Sequence, residues 1–423
     1  MSGGHGYGAG LISIALSLVL EAGVSLRAAP RVLTTVGRAL GLSLAVPCWT
    51  TVRLWLLRLG HAVLRTQQVE AVDWAWLIDH SVQIGPEKCL VILGIRLIDL
   101  PRPGESLRHE NLQLIELLPA KSWTRPQVDQ AMENCVLRSG IVPRVIVSDH
   151  GVDLYGGITL FQQRHPQTAE IYDAKHKAAC LLKKRLEKNA RWRAFQTRVG
   201  QTRCSVQQTE LAFVTPPGPR LKSRFMNLGP QLKWARRVQA MLREPGCVQQ
   251  FATRARLDEK LGWLAGFETD VIEWSQWQQE VDAAVATVNR QGIHCGTASL
   301  MEKQLSQLDA LGSSATGLAT ELVQFVQSQQ AQVRGDERFP GSTEVLESCF
   351  GKFKQLEKQH CKGGFTQLLL GFGAILRRAT TEAVREALQA SNTAAVRQWA
   401  AQTLGPTLFA QRKLAYDCAT KDG

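Results

Sequence analysis

No Cys-x-x-Cys pair occurs in this chain, although it holds ten cysteines. His294-Cys295 and His360-Cys361 stand without the further ligands that a zinc site needs. Scattered cysteines in a basic chain are read as buried thiols. No apolar run reaches the ~18 residues of a membrane span. The run at residues 11–20 resembles a signal-peptide core, but no basic segment precedes it and Glu21 ends it. A cytoplasmic protein with no membrane partner is expected. There is no internal repeat and no low-complexity tract.

Acidic residues are scarce in two places. The chain of 423 residues carries a net charge of +13. Residues 183–260 hold 18 Lys and Arg against 5 Asp and Glu, and residues 1–66 hold six Arg against the single Glu21. The remainder is net acidic. Charge concentrated in this way points to a polyanionic partner, most simply nucleic acid.

Apolar patterning divides the chain. Residues 1–66 read as short helices, with Ser25 able to cap the second and Pro30 restricting its start. At residues 50–64, Val52, Trp55, Leu56, Leu59 and Val63 fall on one face, and Arg53, Arg58 and Arg65 lie elsewhere. Arginines on short helices suit a helix-turn-helix-like DNA-binding region, with Arg53 and Arg58 as contacts. A plain three-helix packing module fits the same pattern. Residues 67–176 change to strands, expected at 74–79, 88–97, 112–118, 145–148 and 169–172. A helix opens at Pro126 and closes before Gly140, and a second covers 153–163. From residue 177 to about 340 helical periodicity dominates, broken by Thr215-Pro-Pro-Gly-Pro-Arg220. A further helix at 341–364 and a helical tail at 365–423 follow. The class is α/β, a strand-rich core interrupted by a large all-helical, basic insertion.

Three acids sit at ends of these elements. Asp79 follows the apolar Trp76-Leu77-Ile78, Asp149 closes Val145-Ile146-Val147-Ser148, and Glu347 lies in the 341–364 helix. Carboxylates at strand ends are costly unless paired, and hard cations would pair them. Two divalent ions held by three carboxylates, with Asp79 bridging, can activate a water or 3′-hydroxyl and stabilise the leaving oxygen of a phosphodiester. Each acid also has a plain reading: Asp79 as a turn residue, Asp149 as a helix cap. Asp73 and Asp153 rival these two positions. Glu344 lies one turn from Glu347 on the same face. Glu347 is preferred because Lys354, two turns on, would reach a phosphate. Asp173 and His176 form an Asp-x-x-His after the fifth strand, either a buttress of the site or a local structure. In the insertion, Arg236 and Arg237 suit phosphate contacts, and Trp192, Trp234, Trp263, Trp274 and Trp277 are read mostly as core.

The blocks Trp76-Leu77-Ile78-Asp79-His80-Ser81, Ile146-Val147-Ser148-Asp149-His150-Gly151 and Glu347-to-Lys354 resemble DDE transposases of the bacterial insertion-sequence type. The expected order β-β-β-α-β-α-β is similar to their ribonuclease H-like core. The resemblance implies Asp79, Asp149 and Glu347 as catalytic metal ligands for two Mg2+ ions, with Mn2+ as substitute. It implies double-stranded DNA as partner, both the element's ends and a target, and a homo-oligomer, at least a dimer, on that DNA. It also implies a bacterial cytoplasm, with the protein on the nucleoid when bound. Glu347 and Lys354 match a glutamate–six residues–lysine spacing of one bacterial group, but the tyrosine and arginine that group carries ahead of the glutamate are Pro340 and Thr343 here. The helical insertion and Asp173-x-x-His176 are similar to features of hobo/Activator-like transposases. Two other functions fit the same residues: a catalytically inactive, transposase-derived DNA-binding protein, and a ribonuclease H-like nuclease that cuts DNA without strand transfer.

Overall fold

Five apolar runs pair into one mixed sheet in the computed structural model. It describes residues 6–419 apart from 85–86, 219–224, 226–227, 245, 247–249, 310–316, 359–365 and 405–407, and only the backbone of 81–84, 87, 309, 408–410 and 419. His360-Cys361 lies outside the described residues, as do the last residues of the helix expected at 341–364 and the end of the break at 215–220. The chain forms two compact units. One comprises Met1–Ile171 with Ser342–Gly423, the other Tyr172–Gly341.

In the first unit the strands are β1 (Trp74–Ile84), β2 (Glu87–Arg96), β3 (Gln113–Ala120), β4 (Val145–Ser148) and β5 (Ala169–Tyr172). Their spatial order is β3-β2-β1-β4-β5. β2 is antiparallel to β1 and β3, while β4 and β5 continue parallel to β1. β1 and β4 are central and covered on both faces, which explains their unbroken apolar runs. Even-numbered residues of β1 and β4, Trp76, Ile78 and Ile146, pack on α4 (Arg125–Ser139) and α5 (Val152–Arg164) through Val128, Met132, Ile158 and Phe161. Burying each such side chain contributes about 1.5–3 kcal/mol. Helix α4 starts on a Thr124–Gln127 capping box, with Pro126 in its first turn, and ends where Gly140 turns left-handed at φ 71°. Gly157 lets the two helices meet, since a Cβ there would lie 2.6 Å from Val128 Cβ.

The opposite face carries the helices from both chain ends. These are α1 (Ala9–Leu20), α2 (Ala29–Ala39), α3 (Trp49–Leu64), α13 (Glu344–Lys358), α14 (Gly371–Ile375), α15 (Thr381–Ala390) and α16 (Thr393–Thr403). All but α16 share one core containing Leu16, Leu33, Trp55, Leu356, Ala374 and Leu388, and α16 packs Val396 with Leu57 and Leu370. Residues 1–66, expected as a region of their own, are thus built together with the tail. α3 is the central helix. Leu57, Arg58, Gly60 and His61 are buried besides its expected apolar face. Arg58 donates to the carbonyls of Ser391 at 2.7 Å and Leu388 at 2.6 Å, and His61 Nδ1 lies 2.9 Å from Ser391 Oγ. The tail therefore covers the side of α3 that the periodicity left for solvent or DNA.

The second unit is helical: α6 (Ala174–Leu186), α7 (Ala190–Val206), α8 (Gly229–Arg243), α9 (Arg254–Leu261), α10 (Glu268–Gln291), α11 (Thr297–Asp309) and α12 (Gly317–Gln330). Its centre is aromatic. Trp192 meets Trp274 edge-on at 4.8 Å, and Phe195 lies 5.2 Å from Trp274 and 5.9 Å from Trp263. Trp234 and Trp263 donate their indole N–H to Val214 O and Thr202 Oγ1. These tryptophans are core residues. Among the described residues, no helix is long and apolar enough to cross a membrane.

Candidate active site

Asp79 and Asp149 lie just beyond the paired part of β1 and β4. Ala75 pairs with Val145 and Leu77 with Val147, two residues before each aspartate. Alternation along β1 places Asp79 on the odd face, opposite α4 and α5, and Asp149 is the first residue past the end of β4. Asp79 is buried at 8% exposure, and the β1–β2 register slips immediately beyond it. A bulge at such a position re-aims side chains next to a strand end. Asp79 Oδ1 accepts from His80 N at 2.6 Å, and Asp149 Oδ1 accepts from Gly151 N at 2.8 Å. Between Asp149 and Gly151, His150 takes the left-handed conformation at φ 57°, uncommon for a side-chain-bearing residue. Its ring is held by Glu170 and lies 4.4 Å from Tyr155.

Glu347 lies in the first turn of α13, the helix packed against β1 on that odd face. Leu346, Cys349, Phe350 and Phe353 are buried, Glu347 is half-buried at their margin, and Glu344 is exposed. Of the two acids, Glu347 is the less exposed. Both acids also suit the positive end of a helix, which is their plain reading. Lys354 is exposed two turns further on. The rival acids are occupied elsewhere. Asp73 pairs with Arg96, and Asp153 lies 3.4 Å from His80 Nδ1.

Three carboxylates are the donor set that a hard dication takes, so the chemistry fits Mg2+ or Mn2+. The grouping is open: among the described residues, no three His, Cys, Asp or Glu side chains are gathered so as to hold a metal ion.

His80 was not legible as a site residue. It points to the even face, stacks on Trp123 at 5.6 Å and is 10% exposed. Its Nε2 is buried with no hydrogen-bond partner. Burial pushes its pKa down to about 4, against the opposing pull of Asp153 and Asp149. The available signal was an acid on the first turn of α5 joined to a histidine directly after Asp79.

The other expected residues are dispersed. Asp173 caps α6, accepting from His176 N at 2.8 Å, and is almost fully buried. The Asp-x-x-His pair is a helix start that holds a local structure. Arg53 is half-buried and Arg58 is buried against the tail, so the DNA contact expected of Arg58 is replaced by a structural one. Arg236 and Arg237 are exposed on α8. Most acids near them are paired: Glu210 and Glu259 with Arg256, Asp258 with Arg254. Of the cysteines, Cys89, Cys135 and Cys349 are buried, with burial pushing the Cys135 and Cys349 thiols up to about 12. Cys48, Cys180, Cys204, Cys295 and Cys418 are exposed, which corrects the expectation of buried thiols throughout.

No protein-family model matches this chain, and no curated protein sequence matches it significantly.

Proposed function

We propose that this chain is a DNA transposase with a ribonuclease H-like catalytic core. It would bind the terminal inverted repeats of its own mobile element as an oligomer, cut there in a metal-dependent reaction, and join the freed 3′-hydroxyl to target DNA. One observation carries the reading. Asp79 lies on the face of β1 opposite α4 and α5, Asp149 directly follows the parallel neighbour β4, and α13, bearing Glu347, packs against β1. Asp79, Asp149 and Glu347 would hold Mg2+ or Mn2+, which when bound supplies an activated nucleophile and charge neutralisation at the phosphodiester. The bulge after Asp79 and the left-handed turn at His150 fix the backbone from which the two aspartates project. Exposed Lys354, Arg236 and Arg237 can hold phosphates.

A plasmid carrying the DNA that flanks the gene tests this. With Mg2+, the full chain should nick the element's ends and yield joined products with a second plasmid. Asp149→Ala should abolish both and leave binding to the ends within about twofold, because Lys and Arg contacts supply most affinity. An Asp149→Ala protein that still nicks those ends refutes the catalytic assignment. Nicks without joints would make the chain a nuclease of the same fold. The open grouping of the acids favours one further reading, a transposase-derived DNA-binding protein without cleavage. Binding to the ends with no nicking in either Mg2+ or Mn2+ would establish it.

A further inference from the structure

The N-terminal helices carry six arginines between Glu21 and Glu70 and no acid. The periodicity of the sequence assigned DNA contact to α3, but α3 is buried on nearly every side. α2 differs. It faces the core with Ala29, Leu33 and Gly37, and leaves Arg31, Thr34, Thr35 and Arg38 exposed in one row. A Cβ on Gly37 would lie 3.0 Å from Leu44 Cδ1 and 3.3 Å from Leu42 O, so the returning chain packs closely against the Gly37 side of α2.

We infer that the solvent face of α2 lies in the major groove of duplex DNA, with Arg31 and Arg38 on phosphates and Thr34 and Thr35 towards base edges. The inference rests on reading the chain as DNA-binding, and it moves the contact from α3 to α2. Six residues lie between the two arginines, which stand about 10 Å apart along the axis. The groove is about 12 Å wide and admits one helix. Neither arginine has an acid on its own helix, and Thr34 and Thr35, whose hydroxyls donate to Pro30 O and Arg31 O, keep their methyl groups and hydroxyl oxygens for thymine methyls and base donors. Val36 and Leu40 are also exposed on α2, so an anionic lipid surface is the competing occupant.

The experiment is a salt series of full-chain binding to a mixed-sequence duplex, comparing wild type with Arg31→Ala/Arg38→Ala and with Arg53→Ala. The double variant should keep its circular dichroism spectrum and lose about two from the slope of log K against log salt, at about 0.9 per phosphate. Arg53→Ala should leave the slope unchanged. Thr34→Ala/Thr35→Ala should change the sequences selected from a random duplex pool without changing mixed-sequence affinity. An unchanged slope in the arginine variant, with wild type binding DNA, overturns the place of α2 and leaves the DNA-binding reading intact. No duplex binding by wild type overturns both. Binding to phosphatidylserine vesicles that the arginine variant loses, with duplex affinity intact, gives α2 to a membrane and also overturns the inference.

Discussion

Burial holds His80 neutral beside two carboxylates, and this has a consequence for stability. Its pKa falls from 6.5 to about 4 in the fold. The unfolded chain takes a proton below about pH 6.5 that the folded protein refuses. Stability from this site is therefore complete above that pH and is lost progressively down to about pH 4. At about 1.4 kcal/mol per pH unit, roughly 3 kcal/mol is at stake. Urea unfolding of the metal-free protein at ~pH 7 and ~pH 4.5 should show this loss in wild type and a smaller one in His80→Gln. Equal losses in the two proteins would mean that other groups set the acid limit. The partner of His80 was hidden in the sequence because Asp153 lies 73 residues away and reads there as an ordinary first-turn acid. Asp173 was ambiguous for the opposite reason. An Asp three residues before a His satisfies both a cap and a functional motif, and only its hydrogen bond to His176 N separates them.

Strands and most helices were legible because each carries its own signal. β4 was expected at its observed bounds, and α4 was delimited by Pro126 and Gly140. β1 runs on to Ile84, past the expected end at Asp79, because its backbone goes on pairing with β2 across a register slip. The surroundings of α3 were not legible, since the helices covering it begin some 300 residues later in the chain. Its packing can be tested at Gly60. A Cβ at that position would lie 1.7 Å from the carbonyl oxygen of Leu370, and Gly373 similarly approaches Gly60 O at 2.7 Å. These are backbone atoms that cannot swing aside. Gly60→Ala should destabilise the first unit by about 3 kcal/mol or more. Gly200, in the interior of α7, has no neighbour within 4 Å, and Gly200→Ala should stabilise by about 0.5–1 kcal/mol. Chemical denaturation of both variants checks the pair of signs. A tolerated Gly60→Ala would contradict the crossing of α3 and α14.

At the scale of the whole molecule, the net charge of +13 resides in the helical unit and the N-terminal helices, while Asp79 lies on β1, Asp149 just after β4 and Glu347 on α13. Within 183–260, ion pairs absorb most of the few acids and leave Arg236 and Arg237 exposed. Neutralising these two should weaken binding to all duplex sequences alike and lower the salt slope by about two, because phosphate contacts carry no direct base information. A loss confined to one sequence would make them base readers instead. An unchanged slope would remove them from the interface.

The central claim is that Asp79, Asp149 and Glu347 act as one metal-holding set, although they stand apart in the structure described here. Titration of the DNA-bound full chain with Mn2+, followed by electron paramagnetic resonance, addresses it most directly. The account predicts binding that is weakened at least about tenfold by each of Asp79→Asn, Asp149→Asn and Glu347→Gln. Glu344→Gln should bind as wild type does. Mn2+ binding that is indifferent to all three substitutions would contradict the account.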